Sequence, residues 1–364
     1  MTMNTKIVTL KKEVIRMEKL NFACDYMQGC TKEILEKLVE TNFEATVGYG
    51  EDAYSNSARK KIMRACGLKS AEIRFLVGGT QANATVIDAL LRNYQGVISI
   101  PSGHIAIHEA GAIEARGHKV ICTEGKDGKV QASEVEKYME TFFGDETYPH
   151  QVQPGMVYIS QPSEFGTLYS KKELEALSKV CKKYHLYLYC DGARLAYALG
   201  SEKNDVTLKD LAKYCDVFYI GGTKCGAMFG EAVVIPNKDL IPYFFTTTKQ
   251  NGALLAKGRL TGIQFDTLFT KDLYTKYGKK ASNYAQKITQ AFEKNGYEVY
   301  MATDTNQIFI NFEDKVLKKF QRSVSTSFWE KTDKTHTLIR LATSWGTTDS
   351  DVKELIKVIE SCKA

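Results

Sequence analysis

From about residue 30 to residue 235, short apolar runs alternate with stretches of helical periodicity. Six runs read as strands: GVISI (96–100), KVICT (119–123), MVYIS (156–160), LYLYC (186–190), DVFYI (216–220) and EAVVI (231–235). Several are apolar throughout, the pattern of strands buried on both faces of a sheet. Between them, KKELEALSKVCKKYH (171–185) places Leu174, Leu177, Val180 and Cys181 at helical spacing. Ser170 precedes that stretch as an N-cap, with Glu173 three residues on. Strands alternating with helices predict βαβ units, so the expected class is α/β with a mostly parallel sheet. After about residue 255 the pattern changes to long amphipathic helices (roughly 262–295). YEVYM, QIFINF, LIRLATSW and a last helix from Asp349 follow, which reads as a second, α+β domain. The expected division is an N-terminal extension over 1–20, a large domain over 21–260 and a small one over 261–364. The extension is expected to be mobile, and Met17 is an alternative start. No repeat or Pro/Gly-rich linker marks the boundary, which is therefore soft.

Composition narrows the partners. The 364 residues are 43% apolar and 25% charged, ordinary for a folded two-domain protein. The net charge of +6 is spread along the chain without a Lys/Arg block. It therefore does not point to nucleic acid, and an anionic small ligand suits it as well. Nine cysteines occur with no CxxC pair, which argues against a zinc cluster or a disulfide framework and for a reducing cytoplasm. No metal ligand cluster is visible. No apolar run reaches the roughly 20 residues of a membrane helix, and no signal peptide is recognisable. A soluble cytoplasmic protein is expected.

Three stretches carry chemistry. FLVGGTQANATVIDALL (75–91) turns through Gly78-Gly79-Thr80 into a helix, aiming free backbone N–H groups at one point, as an anion site does. It matches neither the P-loop nor the dinucleotide fingerprint, and such a turn is often an ordinary connection. LYLYCDGARLAYALG (186–200) ends a buried strand with Asp191-Gly-Ala-Arg194. A carboxylate there is often a helix cap, but ligands of open α/β sheets bind outside the carboxyl ends of strands. Lys224 follows 33 residues later, four past the end of DVFYI, about one βαβ unit on, so the two share one sheet edge. An isolated lysine usually snorkels or pairs. One set between apolar strands and flanked by Gly221, Gly222 and Gly226 is desolvated, which lowers its pKa and frees the amine for Schiff-base chemistry. An anion cradle, a strand-end acid and a reactive lysine are the parts that hold pyridoxal phosphate.

On these residues the chain resembles the low-specificity L-threonine aldolases, within the β-eliminating lyase group of fold-type-I pyridoxal-phosphate enzymes. The motifs, in order, are NFACDYMQG, VGYGEDAYS, GGTQAN, SGHIAIHEAGAIEARGHKV, SQPSEFGTLYS, DGARLAYAL, GGTKCGAMFGE and IRLATSWGTT. They cover nearly the whole chain from Asn21. The resemblance implies an aspartate-aminotransferase-like fold with a seven-stranded type of sheet, and pyridoxal 5'-phosphate as cofactor. It implies that Lys224 is the Schiff-base lysine, Asp191 the pyridinium partner, and Arg194 a residue beside the cofactor and the substrate carboxylate. Gly79 and Thr80 would hold the phosphate, and His104 would stack on the ring. Arg340 would clamp the substrate carboxylate, a task suited to a bidentate fork. Taken without the resemblance, His104 reads more readily as a surface or capping residue, and Arg340 equally as a strand-end surface pair.

The resemblance has gaps. Cys24 stands where the family often has serine, at a substrate-contacting position, and Cys225 beside the lysine has no assignable role. Glu51 and Asp52 read as a solvated turn or as residues reaching a neighbouring subunit. Lys257 and Arg259 read as phosphate contacts, possible from a neighbouring chain. The implied reaction is retro-aldol cleavage of threonine or allo-threonine, a β-hydroxy-α-amino acid, to glycine and an aldehyde, with His104 or a water beside it taking the hydroxyl proton. The same cofactor also serves β-elimination, transamination and racemisation. A non-catalytic binding or assembly module on the same fold is the alternative from another class. A homodimer or homotetramer with shared active sites, a small amino-acid substrate, and no nucleic-acid or membrane partner complete the expectation.

Overall fold

The computed structural model describes residues 19–362. Residues 1–18 of the expected extension, Met17 among them, lie outside the described residues. A seven-stranded sheet forms the centre, in the spatial order Glu72–Leu76, Glu231–Ile235, Val217–Gly221, Tyr187–Asp191, Gln153–Ser160, Gln95–Ser99 and Val120–Cys122. The five strands from Val217–Gly221 to Val120–Cys122 are parallel, and Glu231–Ile235 runs against both its neighbours. All six strands expected from the sequence are present within a few residues of their predicted ends.

Period-2 alternation sends neighbouring residues of each strand to opposite faces. Val157, Leu188 and Phe218 join Ile62, Leu174 and Leu177 in one core, while Met156, Tyr189 and Tyr219 join Ala82, Val86 and Ile87 in another. The helix Lys171–Lys183 opens as its sequence predicts: Ser170 and Glu173 form a reciprocal capping box. A third core, around Phe292, Phe312, Ile339 and Leu355, belongs to a four-stranded antiparallel sheet in the order Ser327–Lys331, His336–Ala342, Gln307–Glu313 and Glu298–Val299. The helices Leu273–Lys294 and Asp349–Cys362 cover it.

The helices expected over 262–295 are Arg259–Leu268 and Leu273–Lys294, parted where Lys271 and Asp272 take left-handed φ values of 53° and 59°. Two features differ from the sequence reading. Glu72–Leu76 and Ser327–Lys331 are edge strands whose charged, partly exposed residues mask their apolar pattern. Leu20–Asn21 pairs in parallel with Val324–Ser325, so Phe22 is buried in the third core and the next residues cross to the rim of the large sheet. Among the described residues no helix is long and apolar enough to cross a membrane.

Candidate active site

At the carboxyl ends of the parallel strands lies a cavity of about 300 Å³. Gly79, Thr80, His104, Asp191, Arg194 and Lys224 all line it. Six positions singled out in the sequence, up to 145 residues apart (224 − 79), are thus brought to one place. Cys24 and Arg340 are not in its wall; they stand behind Arg194 and Tyr26.

Lys224 projects from the turn after Val217–Gly221. The turn closes tightly: Gly226 sits at φ +110°, and any Cβ on Gly221 would run into the backbone of Gly192 and Ala193 on the next strand. Glu231, which opens the following strand, pins the turn by accepting from the Gly222 amide at 3.0 Å and from the Thr223 hydroxyl at 2.8 Å. Among the described residues no acceptor bonds the Lys224 Nζ. Burial and the neighbouring Arg194 guanidinium push its pKa below the ordinary lysine value, against the opposing pull of Asp25, Asp191 and Glu231. An unpaired, desolvated amine on a cavity wall is a nucleophile in waiting.

Asp191 ends its strand with the carboxylate on the same face as Tyr189. Tyr158 donates to Oδ2 at 2.6 Å and Asn83 at 3.1 Å, while Oδ1 accepts from the Ala193 amide at 2.9 Å and from the Tyr219 hydroxyl. Burial opposes its charge, but His104 and the hydrogen bonds from Tyr158, Tyr219 and Ala193 outweigh that and hold the pKa below the usual carboxylate range. The acid is therefore an anion fixed in place at the cavity floor.

His104 opens the short helix His104–Ile107 after the N-cap Gly103. Its Nδ1 lies 2.7 Å from Oε1 of Glu109, and its backbone N–H donates to Glu164 at 3.1 Å. Glu164 lines the cavity as well and accepts from Ser160 at 2.7 Å on the same oxygen. Burial raises its pKa, Ser160 opposes that, and Asp191 adds to it.

Two arginines stand together on the side facing the small domain. Arg194 gives Nε and Nη2 to the two oxygens of Asp25, at 2.7 and 3.1 Å, and among the described residues its Nη1 has no hydrogen bond. Burial opposes the charge on Asp25, yet Arg194, Lys224 and Arg340 carry its pKa down to about 2. Arg340 reaches Gln307 at 3.2 Å and both Ala23 O and Ser327 at 3.3 Å, but its Nε is buried without a partner. Burial and Arg194 lower its pKa, with Tyr26 and Cys24 among the groups that pull the other way.

Opposite Asp191, the helix Gly79–Leu90 begins at the cavity with Gly78 as N-cap. A Cβ on Gly79 would come within 2.9 Å of the Tyr219 hydroxyl, so the turn must carry glycine there to keep the cradle open. The other residues noted in the sequence have local tasks. Asp52 is the buried N-cap of Ala53–Ala65, and Glu51 pairs with Arg74. Arg259 donates to the carbonyls of Thr41 and Asn42. The Cys225 thiol is buried against the Ala193 carbonyl.

Asp25, Asn83, Glu109, Glu164 and Glu231 were not singled out in the sequence. Two of them carry a readable signal: Asn83 is a polar residue within the core-facing run of its helix, and Glu231 opens a strand that is otherwise apolar. Asp25 and Glu164 have none, because what gives them a role is a partner from another segment, whereas Glu109 meets His104 five residues away and was overlooked within its own motif.

Cavity and sheet together define the class: an aspartate-aminotransferase-like α/β protein with its site at the strand ends. Thermus thermophilus aspartate aminotransferase shares the fold at 14% identity, with a TM-score of 0.66 over 94% of this chain and 91% of that one. The chain belongs to the β-eliminating lyase family, whose profile matches residues 21–315. It is similar to the solved threonine aldolase of Leishmania major, with 37% identity, a TM-score of 0.91, and 94% of this chain and 99% of that chain covered. The low specificity L-threonine aldolase of a Pseudomonas species is 28% identical over 349 residues, 92% of this chain and 95% of that protein.

Proposed function

We propose that the protein is a pyridoxal-phosphate-dependent lyase that cleaves threonine or allo-threonine between Cα and Cβ, giving glycine and an aldehyde. The donor set fits the cofactor: the buried Asp191 anion, the open amides of Gly79 and Thr80 at a helix start, and the unpaired Lys224 amine all border one cavity. When bound, pyridoxal phosphate supplies an electron-accepting ring that takes up the pair released by the Cα–Cβ bond.

The chain's own residues do the rest. Lys224 would hold the cofactor aldehyde, Asp191 would pair with its ring nitrogen, and His104 would border the ring. Arg194, on the cavity wall, would orient the substrate carboxylate through its Nη1, and Arg340, outside that wall, adds positive charge beside it. That orientation would select which bond of the substrate breaks. His104 accepts the β-hydroxyl proton, and Glu164 stands next to it on the wall. Glycine and an aldehyde then leave.

The observation that carries this reading is the Lys224 amine, free of any acceptor in the cavity that Asp191 and Gly79 share. Incubation of the cofactor-loaded protein with threonine, allo-threonine, tryptophan and cysteine tests it. Glycine and acetaldehyde from the first two support the aldolase; pyruvate or a keto acid in their place would assign β-elimination or transamination instead.

The same proposal includes a homodimer or homotetramer in the cytoplasm. Leu35, Val39, Phe43 and Val47 follow one another from the helix Lys32–Glu40 with their side chains exposed, Phe43 at 97%. Such a series suits burial against a second copy. A mass in solution of two or four times the 40.8-kDa chain checks it. All nine cysteines are free thiols, which suits a reducing compartment.

A further inference from the structure

Behind His104 the polar groups form a hydrogen-bonded chain. Asn83 donates one N–H to Oε1 of Glu109 at 2.7 Å and the other to Oδ2 of Asp191 at 3.1 Å. Its orientation is fixed, because Tyr189 donates its hydroxyl to the Asn83 oxygen at 2.9 Å and leaves the NH₂ end to the two carboxylates. Glu109 in turn meets His104 Nδ1, and the His104 backbone N–H donates to Glu164, which also accepts from Ser160.

An ionised carboxylate only accepts hydrogen bonds, so the 2.7 Å contact requires the proton of His104 to sit on Nδ1. In a neutral ring Nε2 is then the bare nitrogen. The side chain of Glu109 is fully buried, and its Oε2 has no partner. The imidazole is the titratable group within hydrogen-bond reach of this carboxyl. Other charged or titratable groups also face His104. Glu164 engages its backbone, the His108 ring lies 5.5 Å from its own, and Asp191 acts on it from across the cavity. None of them bonds Nδ1.

We propose that Glu109 is a positioning residue that holds His104 in the Nδ1–H tautomer with Nε2 free for substrate, and that Asn83 ties this carboxylate to Asp191. The imidazole and the acid that serve the cofactor are thereby set by a single hydrogen-bonded unit. The catalytic part of this inference rests on the aldolase reading; the tautomer does not. The partner behind a metal-bound histidine is worth about tenfold to a hundredfold when removed, and a loss of that order is expected here.

Two variants grade the effect: Glu109→Gln keeps a neutral acceptor of the same shape, and Glu109→Leu removes the acceptor at similar volume. The direct readout is the ¹⁵N–¹H correlation of the neutral His104 imidazole in the cofactor-loaded protein, assigned among six histidines by its loss in His104→Phe. Wild type should show Nδ1–H with Nε2 bare, the Gln variant a weaker bias, and the Leu variant a mixed population. If Glu109→Leu fails to fold, the Gln variant alone decides. Turnover of threonine should fall about tenfold to a hundredfold in kcat for the Leu variant, with KM moving far less. In a His104→Phe background, Glu109→Leu should cost almost nothing further. An unchanged tautomer in the variants, or a full additive loss in the His104→Phe background, would overturn the proposal and leave Glu109 a brace for the fold. A tautomer bias that follows Glu109 in a protein that leaves threonine intact would uphold this inference while sinking the aldolase reading.

Discussion

Glu231 shows what a single buried carboxyl contributes at the residue scale. Burial pushes its pKa up to about 8, against the hydrogen bonds from Thr223 and Gly222. In the unfolded chain a glutamate titrates near ~4.3, so from there to about 8 the folded state holds a proton that the unfolded state does not. Stability is greatest below that window and falls as pH rises through it. Glu231→Gln removes this term. Thermal melts of the cofactor-free protein should decline less between about pH 5 and about 8 in the variant than in wild type; equal slopes would contradict the account. Legibility divides along the same lines. Lys224, Asp191 and Gly79 were readable because their own sequence neighbours, glycine turns and buried strands, set their surroundings. Asp25 and Glu164 were not, since Asp25 gains its role from Arg194, 169 residues away, and Glu164 from the His104 amide, 60 residues away.

Between elements, the Asp25–Arg194 pair ties the N-terminal segment to the start of the helix Leu195–Leu199, while Asn306 of the small domain donates to the same carboxylate at 2.9 Å. Asp25 is wholly buried, so its loss strands a charge. Asp25→Asn should cost about 3–5 kcal/mol in urea denaturation at neutral pH, the usual penalty for leaving one partner of a buried ion pair alone. A cost below about 1 kcal/mol would mean that water or another group already neutralises Arg194. The depressed pKa adds a pH signature. Wild type keeps this contribution above the unfolded value of 3.8 and loses it as pH falls through about 2, a limb the variant should lack. Elements themselves were legible where periodicity was clean, as in Lys171–Lys183 with its capping box and in the six buried strands. Edge strands such as Ser327–Lys331 escaped because half-exposed positions blur the period of 2.

Over the whole molecule, five parallel strands bring their carboxyl ends to one rim, and the segment from Leu20 returns to the C-terminal core before crossing to that rim. The site is therefore assembled from pieces that no local window contains, and the order of motifs along the chain was the feature that made it readable. Its central claim is that the Lys224 amine captures the aldehyde of pyridoxal phosphate. Borohydride reduction of the cofactor-loaded protein, followed by peptide mass mapping, tests this most directly. The account predicts one pyridoxyl mass, on the peptide that carries Lys224 and absent from Lys224→Ala; a pyridoxyl group on another lysine, or none on any peptide of the wild type, would contradict it.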